Sequence, residues 1–230
     1  MHPLDRRLWY VLREPFLTTR DEDGWNIPLL VWRADEPLLA VGTAPLGGGI
    51  GVRRWVVNAT VPMSYDRDDP AAHLAELADG LGLAGPGVGL LTGVDVAEAV
   101  ARADSGVRVW ATVGLGTPVW AAAPAPAPAA QRVGTVNIVV YVPARLGEAA
   151  LVNAVATATE AKAQAIWELG LAATGTPTDA VTVLCPADGE PAAYGGPRST
   201  WGAPLARAVH AAVRAGGVGT VVPWSDRRAG

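Results

Sequence analysis

The sequence predicts an α/β or α+β fold, because runs of residues typical of strands and runs typical of helices are mixed along its whole length. Half of the 230 residues are hydrophobic, which is ample material for a buried core. The sequence contains no internal repeat. We therefore expect residues 1–230 to form a single domain, with two small lobes as the alternative.

The first half of the chain combines short apolar runs with glycine and proline residues that separate them. Asp69-Pro70 is a typical helix start, and Leu74, Leu77 and Leu81 then fall on one helical face. Polar residues and a proline between two apolar runs predict a hairpin turn at 35–37. In order, we expect strands at 28–33 and 38–43, a glycine-dense loop at 45–51, a strand at 55–61, a helix from 70 to 82 or 85, a strand at 88–91, a helix at 95–102 and a strand at 107–113.

An Ala/Pro-rich linker, residues 121–133, lies inside this domain. It contains the run AAAPAPAPAA, and alternating prolines can form neither a helix nor a central strand. We expect an extended, exposed segment that leads directly to Gly134 and Thr135. Beyond it, the pattern predicts a strand at 135–142, a helix at 147–169, a strand at 180–184, a Gly/Pro-rich loop at 186–202, a helix at 203–214 and a short strand at 218–222.

Composition argues against several classes of function. The net charge of −4, the pI near 5.4 and the lack of any Lys/Arg run argue against a nucleic-acid binder. No uninterrupted apolar stretch is long enough to span a bilayer, and no signal peptide is evident. Cys185 is the only cysteine, so no internal disulfide can form. We expect a cytoplasmic protein that binds neither nucleic acid nor membrane; the sequence predicts no oligomeric state.

The three histidines, His2, His73 and His210, show none of the spacings of a metal site. We therefore expect no metal, and we interpret His73 and His210 as ordinary residues of amphipathic helices. The sequence also lacks a Gly-x-Ser-x-Gly elbow and a Walker loop. A hydrolase of this composition must use an activated threonine, paired carboxylates or a lysine base.

The helix at 147–169 contains an unusual set of polar residues. Lys162 is the only lysine in the chain, which indicates a need for a compact ammonium group at this place, with chance as the alternative. Asn153, Thr157, Glu160 and Gln164 follow i, i+4, i+7 and i+11 spacing and form one polar stripe. That stripe either belongs to a functional site or is simply the solvent face of the helix.

Two threonine-rich segments flank this helix. Residues 174–179 read TGTPTD and bring three hydroxyl groups and a carboxylate to the start of a strand. Thr135 follows Gly134 after the linker, which is the arrangement of an N-terminal nucleophile hydrolase before cleavage. Breaking the Gly134–Thr135 bond would give Thr135 an α-amine with a pKa near neutrality, which can deprotonate its own hydroxyl without a histidine. The alternative is a threonine present for its strand propensity.

Several short motifs match the pattern of a known family over roughly residues 38–215. They are APLGGGI (44–50), WVVN (55–58), VP (61–62) followed by Tyr65 and Asp69-Pro70, VGLLT (88–92), ATVGL (111–115), GTVNI (134–138), LVNA (151–154), TATEAK (157–162), TGTPTD (174–179) and ARAV (206–209). On these motifs the chain resembles the adenosylcobinamide amidohydrolase family (CbiZ), from which it departs at 92–94 and at 116–118. The second departure puts in doubt any role for a side-chain amide at position 117.

This resemblance implies amide hydrolysis in corrinoid salvage. Such enzymes cleave the aminopropanol amide of adenosylcobinamide and release adenosylcobyric acid and 1-amino-2-propanol. The small-molecule corrinoid is then the substrate, and no cofactor is expected, because the cobalt belongs to the substrate.

The strand–helix–strand order after the linker is also similar to that of self-cleaving aminopeptidases and ornithine acetyltransferases, in which a Gly-Ser or Gly-Thr bond is cut. This second resemblance implies two packed β-sheets flanked by helices, in a four-layer αββα arrangement, with a three-layer α/β sandwich as the alternative. It also implies that the glycine-rich strand end at 112–116 supplies oxyanion donors.

Five residues form the expected catalytic set. Thr135 is the nucleophile, and Asn137 orients the substrate or donates to the oxyanion. Glu160 and Lys162 form a charge pair that tunes proton transfer, although they lie about 200° apart around the helix axis and cannot both face one pocket. Asp179 holds Lys162, or acts as base on a water molecule if no self-cleavage occurs.

Polar and glycine residues around this set are expected to bind the substrate, and three tryptophans, Trp55, Trp110 and Trp120, either cover the apolar face of a corrin or pack in the core. The expected substrate-binding residues are Gly47, Gly48, Gly49, Asn58, Thr92, Thr112, Gly114, Asn153, Thr157, Thr174 and Thr176.

Three alternatives stay open at this point. In the first, the chain remains intact, Glu160 or Asp179 activates water, and Thr135 only binds substrate. In the second, the protein binds corrinoids without turnover. In the third, it is a self-cleaving amidase or aminopeptidase-like hydrolase of other specificity.

Overall fold

The computed structural model describes residues 11–124, 134–219 and 222–228. Within these residues the chain forms eight strands, three α-helices and two short 3₁₀ turns, the latter at Val96–Glu98 and Trp224–Arg228. The larger elements are β1 (Phe16–Glu22), β2 (Trp25–Gly42), β3 (Gly49–Thr60), α1 (Pro70–Gly80), β4 (Val88–Thr92), β5 (Val100–Asp104), β6 (Val107–Val113), β7 (Val136–Tyr141), α2 (Glu148–Glu168), β8 (Ala180–Pro186) and α3 (Gly202–Gly216).

All eight strands belong to one sheet, in the order β4-β3-β2-β8-β7-β6-β5, with β1 paired to β2 beside this path. Two neighbouring pairs are parallel, β3 with β4 and β7 with β8, and the other pairs are antiparallel. Strand β2 changes partner along its length, because its first half pairs with β1 and its residues 38–42 pair with β8. It therefore connects the two halves of the sheet.

Three buried cores show how the layers stack. One core lies between α1 and the outer face of β2 and β3, and it includes Leu74. A second lies between α2, α3 and the outer face of β6–β8, and it includes Val209. The third joins strand residues from both halves, where Trp32 of β2 meets Trp110 of β6 with ring centroids 5.9 Å apart. The sheet thus folds back on itself between two helical layers.

The predicted α/β (α+β) class is confirmed. The two β layers that the second resemblance implied are present, but they are the two halves of one continuous sheet, not separate sheets. A three-layer sandwich does not describe this arrangement, because the third core lies between two layers of strands. The single domain over residues 1–230 stays a prediction.

The predicted hairpin at 35–37 is wrong, because β2 runs straight through this segment. The register with β3 jumps from Arg33 opposite Trp55 to Leu38 opposite Arg53, so residues 34–37 form a bulge. A proline is tolerated in a bulge because no ladder hydrogen bond is needed there. The true hairpin lies at Asp23 and Gly24, both with positive φ (52° and 76°), which is the turn that an Asp-Gly pair favours.

Two other expectations fail. The helix predicted at 95–102 is replaced by a 3₁₀ turn and by β5, because pairing with β6 overrides the local helical pattern. Val218 and Gly219 are not in a strand, and residues 220–221 of that predicted strand lie outside the described residues, as do residues 125–133 of the linker. Among the described residues, no helix is long and apolar enough to cross a membrane.

Candidate active site

The candidate site lies where β7 and β8 begin. These strands are parallel neighbours in the sheet, with Asn137 opposite Ala180, so the segments that precede them meet at the same edge. Gly134 and Thr135 precede β7, and the TGTPTD loop (residues 174–179) precedes β8. The parallel pairing therefore brings the two threonine-rich segments of the sequence side by side.

Behind this edge, Lys162 of α2 forms a buried ion pair with Asp179. The two side chains are only 7% and 10% exposed, and Lys162 Nζ contacts Asp179 Oδ2. The carboxylate also accepts hydrogen bonds from the backbone N–H of Thr176 (3.0 Å) and of Val136 (2.9 Å), and it contacts the Thr176 hydroxyl. Four partners occupy the acceptor sites of a carboxylate, so Asp179 holds Lys162 and both strand ends in place.

Gly175 is required for this ion pair. A Cβ atom built on Gly175 would lie 2.6 Å from Lys162 Nζ and in still closer contact with Asp179 Oδ2, so no larger residue fits without displacing the pair. The Thr-Gly-Thr run thus has a packing reason that the sequence alone did not show.

The Gly134–Thr135 peptide bond is held between two segments. The Gly134 carbonyl oxygen accepts a hydrogen bond from the Thr178 hydroxyl (3.1 Å) and lies 2.6 Å from the Thr176 hydroxyl, whose single hydrogen is shared between this carbonyl and Asp179. The Thr135 hydroxyl lies 2.7 Å from that of Thr178. On the other side, the Gly114 N–H donates to the Thr135 carbonyl oxygen (2.8 Å). Both the carbonyl and the hydroxyl at this bond therefore contact hydroxyl groups.

A buried amide network lies beneath the site. Asn137 Nδ2 donates to Asn58 Oδ1 and to the carbonyl oxygen of Leu91, both at 2.9 Å. Asn58 Nδ2 in turn donates to Thr112 Oγ1 at 3.1 Å. The network crosses from β3 to β6 and β7, so it links the two halves of the folded sheet.

A cleft of about 250 Å³ opens above this network, at the end of the inner core. Its walls are mainly apolar, with a few polar groups at one side, which is typical of a small-molecule site. The lining residues are Pro45, Val61, Pro62, Met63, Tyr65, Leu90, Leu91, Thr92, Gly93, Thr135, Asn137, Thr178 and Ala180.

The structure brings most of the expected catalytic set together. Thr135 and Asn137 line the cleft, as does Thr92, and Lys162 and Asp179 lie behind it. Of the expected substrate-binding residues, four others surround this group without lining the cleft: Asn58, Thr112, Gly114 and Thr176.

Glu160 needs a correction, because it does not pair with Lys162. It is exposed and lines a separate depression with Gln164, Arg207 and His210, on another face of α2. The roughly 200° between the two positions places Lys162 in the interior and Glu160 in solvent. We therefore remove Glu160 from the candidate catalytic set.

Other expected binding residues also lie away from the cleft. The Thr157 hydroxyl donates to the Gly195 carbonyl oxygen (2.9 Å), and Asn153 is exposed beside Gly196. The Thr174 hydroxyl accepts from the N–H of Ala121 (2.9 Å). These residues pack loops against α2 and β8 and do not face a substrate in this cleft.

The glycine run at 47–49 forms a structural turn. Gly47 has φ +71°, and its carbonyl oxygen accepts from Arg53 Nε (3.0 Å) and Nη2 (2.8 Å). A Cβ atom on Gly47 would overlap the Gly87 carbonyl, and one on Gly48 would lie 2.6 Å from the Ala44 carbonyl oxygen. Neither Gly47, Gly48 nor Gly49 lines the cleft.

Tyr65 and His73 were missed by the sequence analysis as parts of the site. Tyr65 lines the cleft, and its hydroxyl lies 3.2 Å from Nδ1 of His73, which is buried and stacked on the tyrosine ring. His73 Nε2 lies 3.8 Å from Glu22 Oε1. Burial lowers the pKa of His73 and raises the pKa of Tyr65, so both side chains are neutral at pH 7.

The tryptophans singled out in the sequence do not line the cleft. Trp55 and Trp110 are buried in the cores, and Trp120 packs on Trp167 with centroids 5.8 Å apart. Among the described residues, no group of three or more His, Cys, Asp or Glu side chains is arranged to hold a metal ion.

Comparison with known proteins identifies the family of this chain. The family model described as adenosylcobinamide amidohydrolase matches residues 15–219. An adenosylcobinamide amidohydrolase of Methanosarcina mazei is 32% identical over 196 residues, which cover 81% of this chain and 92% of that protein. One of Halobacterium salinarum is 42% identical over 134 residues, 55% of this chain and 56% of that protein. The chain belongs to the adenosylcobinamide amidohydrolase (CbiZ) family, and the resemblance found in its motifs is confirmed.

Proposed function

We propose that this protein hydrolyses the aminopropanol amide of adenosylcobinamide, releasing adenosylcobyric acid and 1-amino-2-propanol in corrinoid salvage. Membership of the amidohydrolase family supports the substrate and the reaction class. The observation that carries the mechanism is the Thr135 hydroxyl, which faces an apolar cleft beside a buried Lys–Asp pair.

In this proposal Thr135 Oγ1 attacks the amide carbonyl carbon, the C–N bond breaks, and the amine leaves with a proton. The resulting ester on Thr135 is then hydrolysed by water, which regenerates the hydroxyl. Thr92 and Thr178 also line the cleft, and their hydroxyls are the candidate donors to the oxyanion. The Thr178 hydroxyl donates to the Gly134 carbonyl oxygen, so it can donate to the substrate only after that contact is released.

Asn137 fits an orienting role better than an oxyanion role. Both hydrogens of its Nδ2 group are already donated, one to Asn58 Oδ1 and one to the Leu91 carbonyl oxygen. The Leu91 carbonyl can only accept, so it fixes the orientation of the amide. The remaining oxygen of Asn137 can accept a hydrogen bond from the N–H of a substrate amide.

The contacts around Gly134 support activation of Thr135 by self-cleavage. Thr176 and Thr178 polarise the Gly134 carbonyl, as donors to a developing oxyanion would. Attack of Thr135 Oγ1 on that carbonyl carbon breaks the Gly134–Thr135 C–N bond and forms an ester. The bond cleavage leaves the Thr135 nitrogen as a free α-amine, which takes the hydroxyl proton. Water then hydrolyses the ester, which releases a carboxylate at Gly134 and restores the Thr135 hydroxyl, and the α-amine serves as the base.

The mass of the purified protein tests self-cleavage. We expect two fragments, one ending at Gly134 and one beginning at Thr135, and we expect Thr178→Val to slow their formation. Thr174→Val is the matched control, because its hydroxyl lies outside the cleft. A single full-length species with full activity would exclude self-cleavage and would favour a mechanism in which the chain stays intact.

In that intact-chain mechanism, Asp179 would activate water. The structure gives this less support, since four donors already surround the Asp179 carboxylate, and Glu160 faces a different depression. The mechanism would therefore need Asp179 to lose one of its present partners when substrate binds.

A corrinoid-binding protein without turnover is the rival from another class. Mass spectrometry after incubation with adenosylcobinamide separates the two. We expect adenosylcobyric acid and free 1-amino-2-propanol, whereas bound but unaltered adenosylcobinamide would overturn the proposed function.

We further propose that the only metal in the reaction is the cobalt of the substrate. Activity should then survive prior treatment of the protein with EDTA, and its loss and recovery with added zinc would contradict this. The cytoplasm is the proposed location, in line with a single cysteine and no internal disulfide.

A further inference from the structure

The cleft is too small for the whole substrate. Clefts that enclose drug-sized ligands have volumes of about 300–1,000 Å³, and a corrin ring with its amide arms and adenosyl group is larger than such a ligand. The cleft at Thr135 has about 250 Å³. If the proposed function holds, one arm of the corrinoid enters the cleft and the ring lies outside its mouth.

A second hollow adjoins that mouth. It has about 360 Å³ and shares Pro62 and Tyr65 with the cleft. Trp25 and Trp224 line it, with ring centroids 5.7 Å apart. Trp25 is 40% exposed, whereas Trp224 is buried (2% exposed), so Trp25 supplies the accessible ring and Trp224 supports it. This hollow therefore offers an apolar aromatic surface directly beside the entrance to the cleft.

The C-terminal 3₁₀ turn joins this hollow to the cleft. The N–H of Trp224 donates to the Gly93 carbonyl oxygen (2.9 Å), and the N–H of Met63 donates to Ser225 Oγ (3.3 Å). Gly93 and Met63 both line the cleft. Trp224 and Ser225 lie beyond residues 15–219, which the family model matches, so the family motifs do not account for this part of the site.

The hollow is also acidic. Glu22, Asp23 and Asp66 line it, and the one cation among the described lining residues, Arg67, is already bound by Asp69 (2.9 Å) and Glu76 (3.0 Å). Glu22 is itself paired with Arg20 (2.6 Å), so the acidic rim is mainly that of Asp23 and Asp66. Adenosylcobinamide carries a net positive charge, because its Co(III) ion outweighs the single negative charges of the corrin and of the adenosyl ligand. Its amide arms are also hydrogen-bond donors, which carboxylates accept.

We propose that this hollow, formed by Trp25, Trp224 and the carboxylates of Glu22, Asp23 and Asp66, binds the corrin ring while one arm reaches Thr135. The apolar ring edge packs on Trp25, which Trp224 holds in place from behind, and the acidic rim complements the cationic ring and its amides. The proposal rests on the proposed function for its ligand. In this proposal, the C-terminal 3₁₀ turn helps to determine which ligand the chain binds.

Equilibrium dialysis tests the proposal with two ligands. Adenosylcobyric acid keeps the ring but lacks the scissile amide, and adenosylcobinamide is measured in a Thr135→Ala background, in which the proposed mechanism leaves it uncut. We expect Trp25→Ala to raise the Kd of both about tenfold, and Trp25→Phe to restore most of the affinity. Trp167→Ala is the matched control, since Trp167 is 61% exposed but lies on α2, away from the hollow.

A second variant, Asp23→Asn with Asp66→Asn, keeps the test valid if Trp25→Ala does not fold, because both carboxylates are exposed. We expect it to weaken binding of adenosylcobinamide at low salt and to reduce the salt dependence of its Kd. The effect on adenosylcobyric acid should be smaller, because the free carboxylate of that ligand offsets the positive charge of the ring. Glu160→Gln, on the other side of the molecule, should change neither.

The outcomes distinguish this inference from the proposed function. If the wild-type protein releases adenosylcobyric acid but the Trp25 and Asp23/Asp66 variants bind both ligands as tightly as wild type, the hollow is not the ring site. If the ligands bind in the hollow but are not altered, the ring site stands and the proposed hydrolysis fails.

Discussion

Helix α2 has two polar faces, and only one of them belongs to the candidate site. On the buried face, Lys162 is the only charged residue, lies mainly among alanines and pairs with Asp179 next to the cleft. On the other face, Asn153, Glu160 and Gln164 follow a regular helical spacing and remain exposed, while Thr157 of the same stripe is buried against Gly195. Regular spacing of polar residues was therefore typical mainly of the solvent-exposed face, whereas the single buried charge, Lys162, indicated the candidate site.

The physical reason is the cost of burying charge. Water stabilises a row of exposed polar side chains, so such a row carries no information about a partner. A lone ammonium group in an apolar layer is unfavourable unless a carboxylate and further hydrogen bonds compensate it. A single lysine among alanines therefore predicts a partner elsewhere in the chain, and here that partner is Asp179.

Breaking the Lys162–Asp179 pair should have the largest effect on stability. Lys162→Met leaves the buried carboxylate of Asp179 without its counter-charge, and we expect a loss of about 3–5 kcal/mol in the free energy of unfolding. Glu160→Gln on the exposed face should change it by less than about 0.5 kcal/mol. Urea denaturation measures the free energy of unfolding of both variants. Similar losses for the two would contradict the distinction between the buried and the exposed face of α2.

Lys162→Arg sharpens the same comparison. The planar guanidinium is larger than the ammonium group and must fit against Gly175, so we expect reduced stability and reduced amidase activity. A Lys162→Arg protein with normal activity would show that the single lysine carries no functional meaning.

Gly175→Ala tests the close packing around the pair without changing any charge. Its new methyl group would meet both Lys162 Nζ and Asp179 Oδ2, and we expect a cost of about 1–3 kcal/mol. Gly116→Ala is the matched control, because a Cβ atom there meets nothing within 4 Å and φ is not positive. Thermal or urea unfolding measures the difference in stability between the two variants. Equal stability would show that the Lys162–Asp179 pair can shift away from the new methyl group at no cost.

His73, which lies behind the cleft residue Tyr65, gives the smallest expected effect. Burial lowers its pKa below the ordinary value of 6.5, so below that pH the unfolded chain binds a proton more readily than the folded protein does. Stability should therefore fall as the pH drops from about 6.5 towards the lowered pKa. His73→Gln should make this part of the pH–stability curve flatter, and an unchanged slope would show that His73 does not titrate as described.

Local patterns predicted much of the fold. Strand β6 was expected at 107–113 and is found there, and α1, α2, α3, β4, β7 and β8 lie within a few residues of their expected bounds. The bulge in β2 and the strand β5 were missed, because both depend on pairing with strands distant in sequence. The Asp23-Gly24 turn carried a signal in the sequence that was overlooked.

The sequence predicted those parts of the candidate site that depend on an unusual residue type at one position. Thr135, Lys162 and Asp179 were all singled out by residue type. Parallel pairing of β7 and β8 brings Thr135 and Asp179 together, and α2, packed on the same strands, adds Lys162. The stacking of Trp25 on Trp224 joins opposite ends of the chain, and no spacing within one sequence reveals such a contact. Tyr65 was named among the family motifs, but its contact with His73 and its place in the cleft were recognised only from the structure, because they depend on how the loop before α1 folds.

The rate at which Thr135→Ala converts adenosylcobinamide tests the central claim most directly. Adenosylcobyric acid is quantified by mass spectrometry, with circular dichroism to confirm that the variant is folded. If Thr135 is the nucleophile, kcat should fall by a factor on the order of 10³ or more, because removing a nucleophile removes the covalent route. Turnover by the folded variant within about tenfold of wild type would contradict the account.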